Sequence, residues 1–118
     1  MPRPPAGGSA MEIVRGSIWW VEFDPTIGSE IRKTRPAVVL TADSLNRVRR
    51  TVVVVPLSTG PGQRPPIVLH VPSAGQGSMA VCDQIRAVDR SRLMRPSGSL
   101  SREDLKAVED SVRTILRL

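Results

Sequence analysis

The sequence predicts a mainly β domain, a small barrel or sandwich, closed by one C-terminal amphipathic helix. Three observations carry this. Five short runs, "SIWWVEF", "RPAVVLTA", "TVVVVPLS", "PPIVLHVP" and "MAVCDQIRAV", are rich in β-branched residues and bounded by turn formers. The first alternates Trp19, Val21 and Phe23 on one face with Ile18, Trp20 and Glu22 on the other, the period of a strand. The last segment, "SREDLKAVEDSVRTILRL", changes to a helical period.

The chain has 118 residues, the length of one domain with a single core. Residues 1–10, "MPRPPAGGSA", hold too much Pro, Gly and Ser for a regular element and read as a disordered tail, with Met11 a second candidate start and residues 11–118 the domain. "SLNRVRR" and "DRSRLM" read as short helices or turns between strands. In the terminal helix Ser101 stands at the N-cap, Glu103 and Asp104 occupy the first turn, and Arg113 and Arg117 lie near the end, each on the side the helix dipole favours. Leu105, Val108, Val112, Ile115 and Leu116 form one apolar stripe, read as core packing.

Charge narrows the partner. The formal net charge is +6, but from Arg32 to Arg95 eleven Lys/Arg face only Asp43, Asp83 and Asp89, a local net of +8. Clustered cations release counterions from phosphates, so a nucleic acid is the expected partner. No apolar run approaches the ~20 residues that span a bilayer, and no apolar signal core follows the N-terminal charge, so a cytoplasmic protein without a membrane partner is expected.

Several chemistries are excluded. Cys82 is the one cysteine and His70 the one histidine, which rules out an intramolecular disulfide, a Cys/His zinc cage and two-histidine acid–base catalysis within one chain. His70 lies in an alternating strand and reads as structural or surface. There is no P-loop, no GxGxxG and no paired-carboxylate motif for magnesium, so neither metal nor cofactor is expected. The remaining reactive groups are Arg35 before Pro36, Ser58 and Thr59 after Pro56, and Asp83 with Gln84 in "VCDQIR".

These motifs, "RGSIWWVEFDPTIGSEIRKTRPAVVLTAD", then "VVVVPLST", then "CDQIRAVD" followed by "RLMRPSGSLSREDLKAVEDSV", resemble the MazF/PemK (Kid) family of toxins from type II toxin–antitoxin operons. The resemblance runs from about Val14 to the C-terminus with the motifs in order. It implies an SH3-like barrel of the CcdB/PemK type with a C-terminal helix, and a sequence-specific, metal-independent endoribonuclease cleaving single-stranded RNA by 2′-OH attack. It implies a homodimer and a cognate MazE-like antitoxin with an acidic disordered tail.

Site residues follow position by position. The Arg of the family's R-P motif falls on Arg35, and its catalytic hydroxyl, usually Thr, on Ser58, which keeps the donor but loses the methyl that restricts χ1. Asp83 falls on the Asp used by the Kid branch, whereas the Arg two positions before it is Val81 here, so the Kid-type pair is incomplete. Catalytic roles are therefore expected for Arg35, Ser58 and Asp83. Glu30, Arg32, Lys33, Thr59, Gln84 and Arg86 are expected to bind RNA, with Trp20 and Phe23 as stacking platforms and Trp19 in the core. The charged connection "GSEIRKTRP" is then a lid over the cleavage site. Two alternatives stand beside this reading: a non-catalytic nucleic-acid-binding barrel, and a CcdB-like topoisomerase poison, which depends on a Trp near the C-terminus that "RTILRL" lacks.

Overall fold

In a computed structural model, which describes residues 12–23 and 33–118, the alternation of the first strand sorts its side chains into two cores. Strand β1 (Ser17–Phe23) directs Trp19, Val21 and Phe23 into one apolar cluster and Ile18 into the other. Its partner β2 (Lys33–Val39) does the same with Ala37 and Val39 against Val38. In β3 (Thr51–Ser58), Val52 and Val54 join the first cluster and Val55 and Leu57 the second. Both faces of the sheet are thus buried over part of its area, which is why the β3 run "VVVV" shows little polar alternation.

Between β2 and β3 lies the short helix α1 (Asp43–Asn46). After β3 come β4 (Val68–His70), a 3₁₀ turn at Pro72–Ala74, β5 (Met79–Val81), a second turn at Cys82–Gln84, β6 (Arg86–Asp89), a third at Arg90–Arg92, β7 (Leu93–Ser99) and helix α2 (Arg102–Leu116). All strand pairs are antiparallel. The path is β4-β5-β3-β2-β1-β7, with β6 also paired to β3. The mainly β expectation holds, with seven strands among the described residues in place of five.

Two differences from the expected elements have physical causes. "MAVCDQIRAV" is not one strand: β5 meets the end of β3, pairing Leu57 with Ala80, and β6 meets its start, pairing Val54 with Arg86. Moving three residues along β3 moves six along the partner, and the three extra residues are the turn Cys82–Gln84. The second difference is β7, whose "RPSGS" carries turn residues yet pairs with β1. It lies at the end of the sheet path, where a missing Pro96 N–H costs no ladder bond on the open side.

Helix α2 covers the second cluster. Val108 and Val112 are buried in it, and Leu105 and Ile115 are partly buried against it. Leu116, counted in the stripe, is 49% exposed, because the helix ends there and Arg117 turns into the left-handed conformation. Ser101 Oγ accepts from Asp104 N at 3.0 Å, the predicted N-cap. Asp104 is itself buried and accepts from Ser73 N at 2.8 Å and Ser73 Oγ at 2.5 Å, while Ser101 N donates to Ser73 Oγ at 2.9 Å. These bonds fix the helix start to the turn after β4. Gly16 permits close approach on the other side. Its φ is +89°, its N–H donates to Val39 O at 2.7 Å, and an added Cβ would lie 3.1 Å from Leu105 Cδ2. Among the described residues no helix is long and apolar enough to cross a membrane.

Candidate active site

The site begins where a ladder stops. The β2–β3 register runs from Val39 opposite Val54 to Ala37 opposite Pro56, and the next β2 residue, Pro36, has no N–H to offer. Continued by two residues, that register sets Arg35 opposite Ser58. There the side chains meet: Arg35 Nη1 donates to Ser58 Oγ at 3.3 Å. Both residues are half-buried.

Ser58 Oγ also accepts from Gly60 N at 3.4 Å. With both lone pairs of the hydroxyl facing donors, its own O–H is left for a partner other than Arg35 and Gly60. Arg35 uses one of five N–H donors on Ser58, and no other side-chain bond of its guanidinium is formed among the described residues. The pair therefore keeps N–H and O–H donors that no described side chain uses, on a base of strand backbone, an arrangement suited to an anion.

Two clefts share this pair. One, of about 480 Å³, is lined by Trp20, Thr34, Arg35, Pro36, Leu57, Ser58, Thr59 and Ser78. The other, of about 400 Å³, joins Arg35 and Ser58 to Val81, Asp83, Gln84 and the apolar residues Pro56, Leu57, Pro61, Ile67 and Val68. The expected residues Arg35, Ser58, Thr59, Trp20, Asp83 and Gln84 thus converge from β1, β2, β3 and the turn Cys82–Gln84. Asp83 and Gln84 are exposed and reach the cleft because the strand breaks there. Val81 lines the same cleft, an apolar side chain where an Arg–Asp pair would need its cation.

The aromatic and basic residues divide differently. Trp19 is 3% exposed in the core and its Nε1 donates to Ser17 Oγ at 3.1 Å, in line with the core role expected for it. Phe23 is also a core residue, and the Arg86 guanidinium carbon lies 5.2 Å from its ring centroid. Neither Phe23 nor Arg86 lines either cleft. Trp20 lines the first cleft, with the Arg95 guanidinium carbon 5.2 Å from its ring centroid. Lys33 opposes Phe23 at the start of β2. Glu30 and Arg32 lie outside the described residues, as does the expected lid as far as Arg32, whereas its last residues, 33–36, are not lid but the start of β2, paired with β1. His70 ends β4 and is exposed, in line with its surface reading.

Three polar residues at or beside the site carry no signal in the sequence. Thr34 and Ser78 line the first cleft. Arg95 reaches Trp20 because the β1–β7 register sets the two opposite each other, and β7 itself was not foreseen. Among the described residues no group of three His, Cys, Asp or Glu side chains is placed to hold a metal ion. Cys82 is buried, and its thiol is pushed up to about 11, chiefly by burial and secondly by the neighbouring Asp83 charge, so it remains protonated at neutral pH.

Comparison with known proteins follows the same outline. The chain is 32% identical over 113 residues to the endoribonuclease MazF9 of Mycobacterium tuberculosis, covering 88% of this chain and 96% of that protein. It is 31% identical over 104 residues to the endoribonuclease toxin MazF of Escherichia coli, covering 86% and 91%. A MazE–MazF crystal structure from Deinococcus radiodurans superposes with a TM-score of 0.77 at 24% identity over 89% of this chain and 96% of that one, a likeness of fold. Residues 14–116 match the PemK-like, MazF-like toxins of type II toxin–antitoxin systems, and with the two relatives this match shows that the chain belongs to that family.

Proposed function

We propose that the chain is a toxin that cleaves single-stranded RNA, and that Arg35 and Ser58 are its phosphate-binding catalytic pair. The observation that carries this is the Arg35–Ser58 contact at the junction of the two clefts, which both residues line. Its relatives' names, endoribonuclease MazF9 and endoribonuclease toxin MazF, support the same activity.

In the proposed reaction the ribose 2′-OH attacks the adjacent phosphorus, the 5′-oxygen leaves, and a 2′,3′-cyclic phosphate forms. Negative charge grows on the nonbridging oxygens, so donors already in place bind the transition state better than the substrate. Arg35 supplies a permanently charged planar fork and Ser58 an O–H. Asp83 is the carboxylate of the second cleft and the one positioned to take a proton or a base edge. Thr59 and Gln84, on either side of the pair, are the proposed base readers, and Trp20 a stacking surface. Because the nucleophile belongs to the substrate, no metal-bound hydroxide is required.

The proposed partners are a second copy of the chain and a MazE-like antitoxin with an acidic disordered tail, set in the cytoplasm. The MazE–MazF structures of Deinococcus radiodurans support the second of these, and closed two-fold dimers are the commonest assembly of small proteins. Neither the binding-only barrel nor the topoisomerase poison is favoured by the family match. Purified protein incubated with mixed-sequence RNA tests the reading: recurrent 5′ ends at a short motif are expected. Intact RNA would overturn it, and inhibition of DNA gyrase in its place would establish the poison.

A further inference from the structure

The cleft that holds Arg35 and Ser58 is bounded on its β1 side by Trp20. That indole is neither a core residue nor a free surface ring. It is half-buried, Pro36 stands opposite it on β2, and Arg95 stands opposite it on β7. The Arg95 guanidinium carbon is 5.2 Å from the ring centroid, within the range of a cation–π contact. Arg95 is exposed and lies on a strand at the end of the sheet path, and its guanidinium makes no hydrogen bond or ion pair among the described residues.

A guanidinium held over an indole by a cation–π contact is oriented without using its N–H groups, so its donor fork stays available to a ligand. Nucleobases stack on guanidinium planes as they do on aromatic rings, and phosphates accept from the fork. Two interstrand spacings separate β7 from β2, about 10 Å, so the cation stands beyond the Arg35 position rather than on it.

We infer that Arg95, held on Trp20, forms an outer subsite for single-stranded RNA, stacking one nucleobase on its open face and binding the adjacent phosphate through its N–H fork. The inference rests on the proposed RNA-cleaving function and extends the substrate track from the cleft across β1 onto β7. Arg95 is a positioning residue here, binding substrate at a distance from the reacting bond. Its two contributions are separable, because lysine retains the charge and loses the plane.

The test uses the full chain and a short fluorescein-labelled RNA of mixed sequence, 2′-O-methylated throughout so that the attacking hydroxyl is blocked. Anisotropy titrations across a range of salt concentrations compare wild type, Arg95→Ala and Arg95→Lys. Arg95→Ala should weaken binding about tenfold and lower the slope of log K against log salt by about 0.7, one single-strand phosphate. Arg95→Lys should restore the slope but only part of the affinity. On cleavable RNA, Arg95→Ala should raise KM and leave kcat within about twofold, since the transition-state donors are untouched. RNA should change the tryptophan emission of wild type, and Trp20→Leu, which keeps Trp19, should remove that change.

Unchanged affinity and salt slope in Arg95→Ala would overturn the inference, and Arg95→Lys binding as tightly as wild type would overturn its stacking half. The wild-type cleavage assay separates this from the activity itself. The expected Arg95 binding pattern in a chain that leaves unmethylated RNA intact supports the subsite and overturns the endoribonuclease reading, whereas active enzyme with an indifferent Arg95 does the reverse.

Discussion

Arg35 and Ser58 stand opposite one another where β2 and β3 part, and the guanidinium donates to the hydroxyl at 3.3 Å. The bond leaves most of the Arg35 donors available and holds the fork against a fixed partner, so its position needs no rearrangement when charge develops nearby. Replacing Arg35 with Ala should lower kcat by about 10³-fold or more, with the fold unchanged because the side chain is half-buried at a strand start. Arg35→Lys should not recover it, since a point charge cannot reproduce the fork. Single-turnover cleavage and circular dichroism measure the two halves. Wild-type rates from Arg35→Ala would remove the residue from the mechanism.

Ser58 has a smaller expected share. Its hydroxyl accepts from Arg35 Nη1 and Gly60 N and keeps its own O–H for substrate, so Ser58→Ala should remove one transition-state donor and one tether, about 10²-fold in kcat. Ser58→Thr keeps the hydroxyl and adds the methyl that restricts χ1, and should match or exceed wild type. A Thr variant as slow as the Ala variant would show that the pocket has no room for the methyl and that the hydroxyl is placed differently.

The thiol of Cys82 offers a pH test of the second core. Burial, and then Asp83, raises it to about 11, above its usual value of 9.0. The unfolded chain therefore loses this proton first as pH rises, which favours the unfolded state. Stability linked to Cys82 is fully present below about pH 9, falls as the pH climbs from about 9 to about 11, and levels beyond. Urea unfolding of wild type and Cys82→Ala across that window should give a difference that drifts against wild type with rising pH. A constant difference would mean that the thiol ionises as freely in the folded protein as outside it.

Legibility in the sequence followed local chemistry. Apolar alternation located β1, and Ser101, Glu103 and Asp104 located the start of α2, because each signal lies within a few consecutive residues. Motif order pointed to Arg35, Ser58, Thr59, Asp83 and Gln84, all of which line the two clefts. Pairing was less visible. Nothing in "MAVCDQIRAV" announces that β3 must be met at two registers, and "RPSGS" reads as a loop until β1 supplies a partner. Arg95 carries no local signal for that reason, whereas Phe23, expected as a stacking platform, lies in the core with Trp19 and Val21, the face that alternation gives it.

The proposed antitoxin should compete with RNA. An acidic, disordered segment would meet the same cations that meet phosphates, among them Arg35 and the other ten Lys/Arg from Arg32 to Arg95. Association should weaken steeply with salt, and the peptide should displace the 2′-O-methylated RNA. Simultaneous binding of both without mutual effect would place the antitoxin elsewhere on the molecule.

The last prediction concerns the bond-breaking step. If the 2′-OH of the substrate is the nucleophile, a single deoxyribose on the 5′ side of the scissile phosphate removes the attacking atom while leaving the phosphate for Arg35 and the bases for Thr59 and Gln84. Such a strand should bind with nearly the affinity of RNA, resist cleavage at that bond and inhibit competitively. Cleavage of ordinary RNA should continue in EDTA and leave a 2′,3′-cyclic phosphate and a 5′-OH, because the donors that stabilise the transition state are side chains of the protein. Mass spectrometry of the fragments distinguishes the ends. Cleavage at the deoxy position, or strict dependence on Mg²⁺, would make water or a metal hydroxide the nucleophile, and the roles assigned to Arg35 and Ser58 would fall with it.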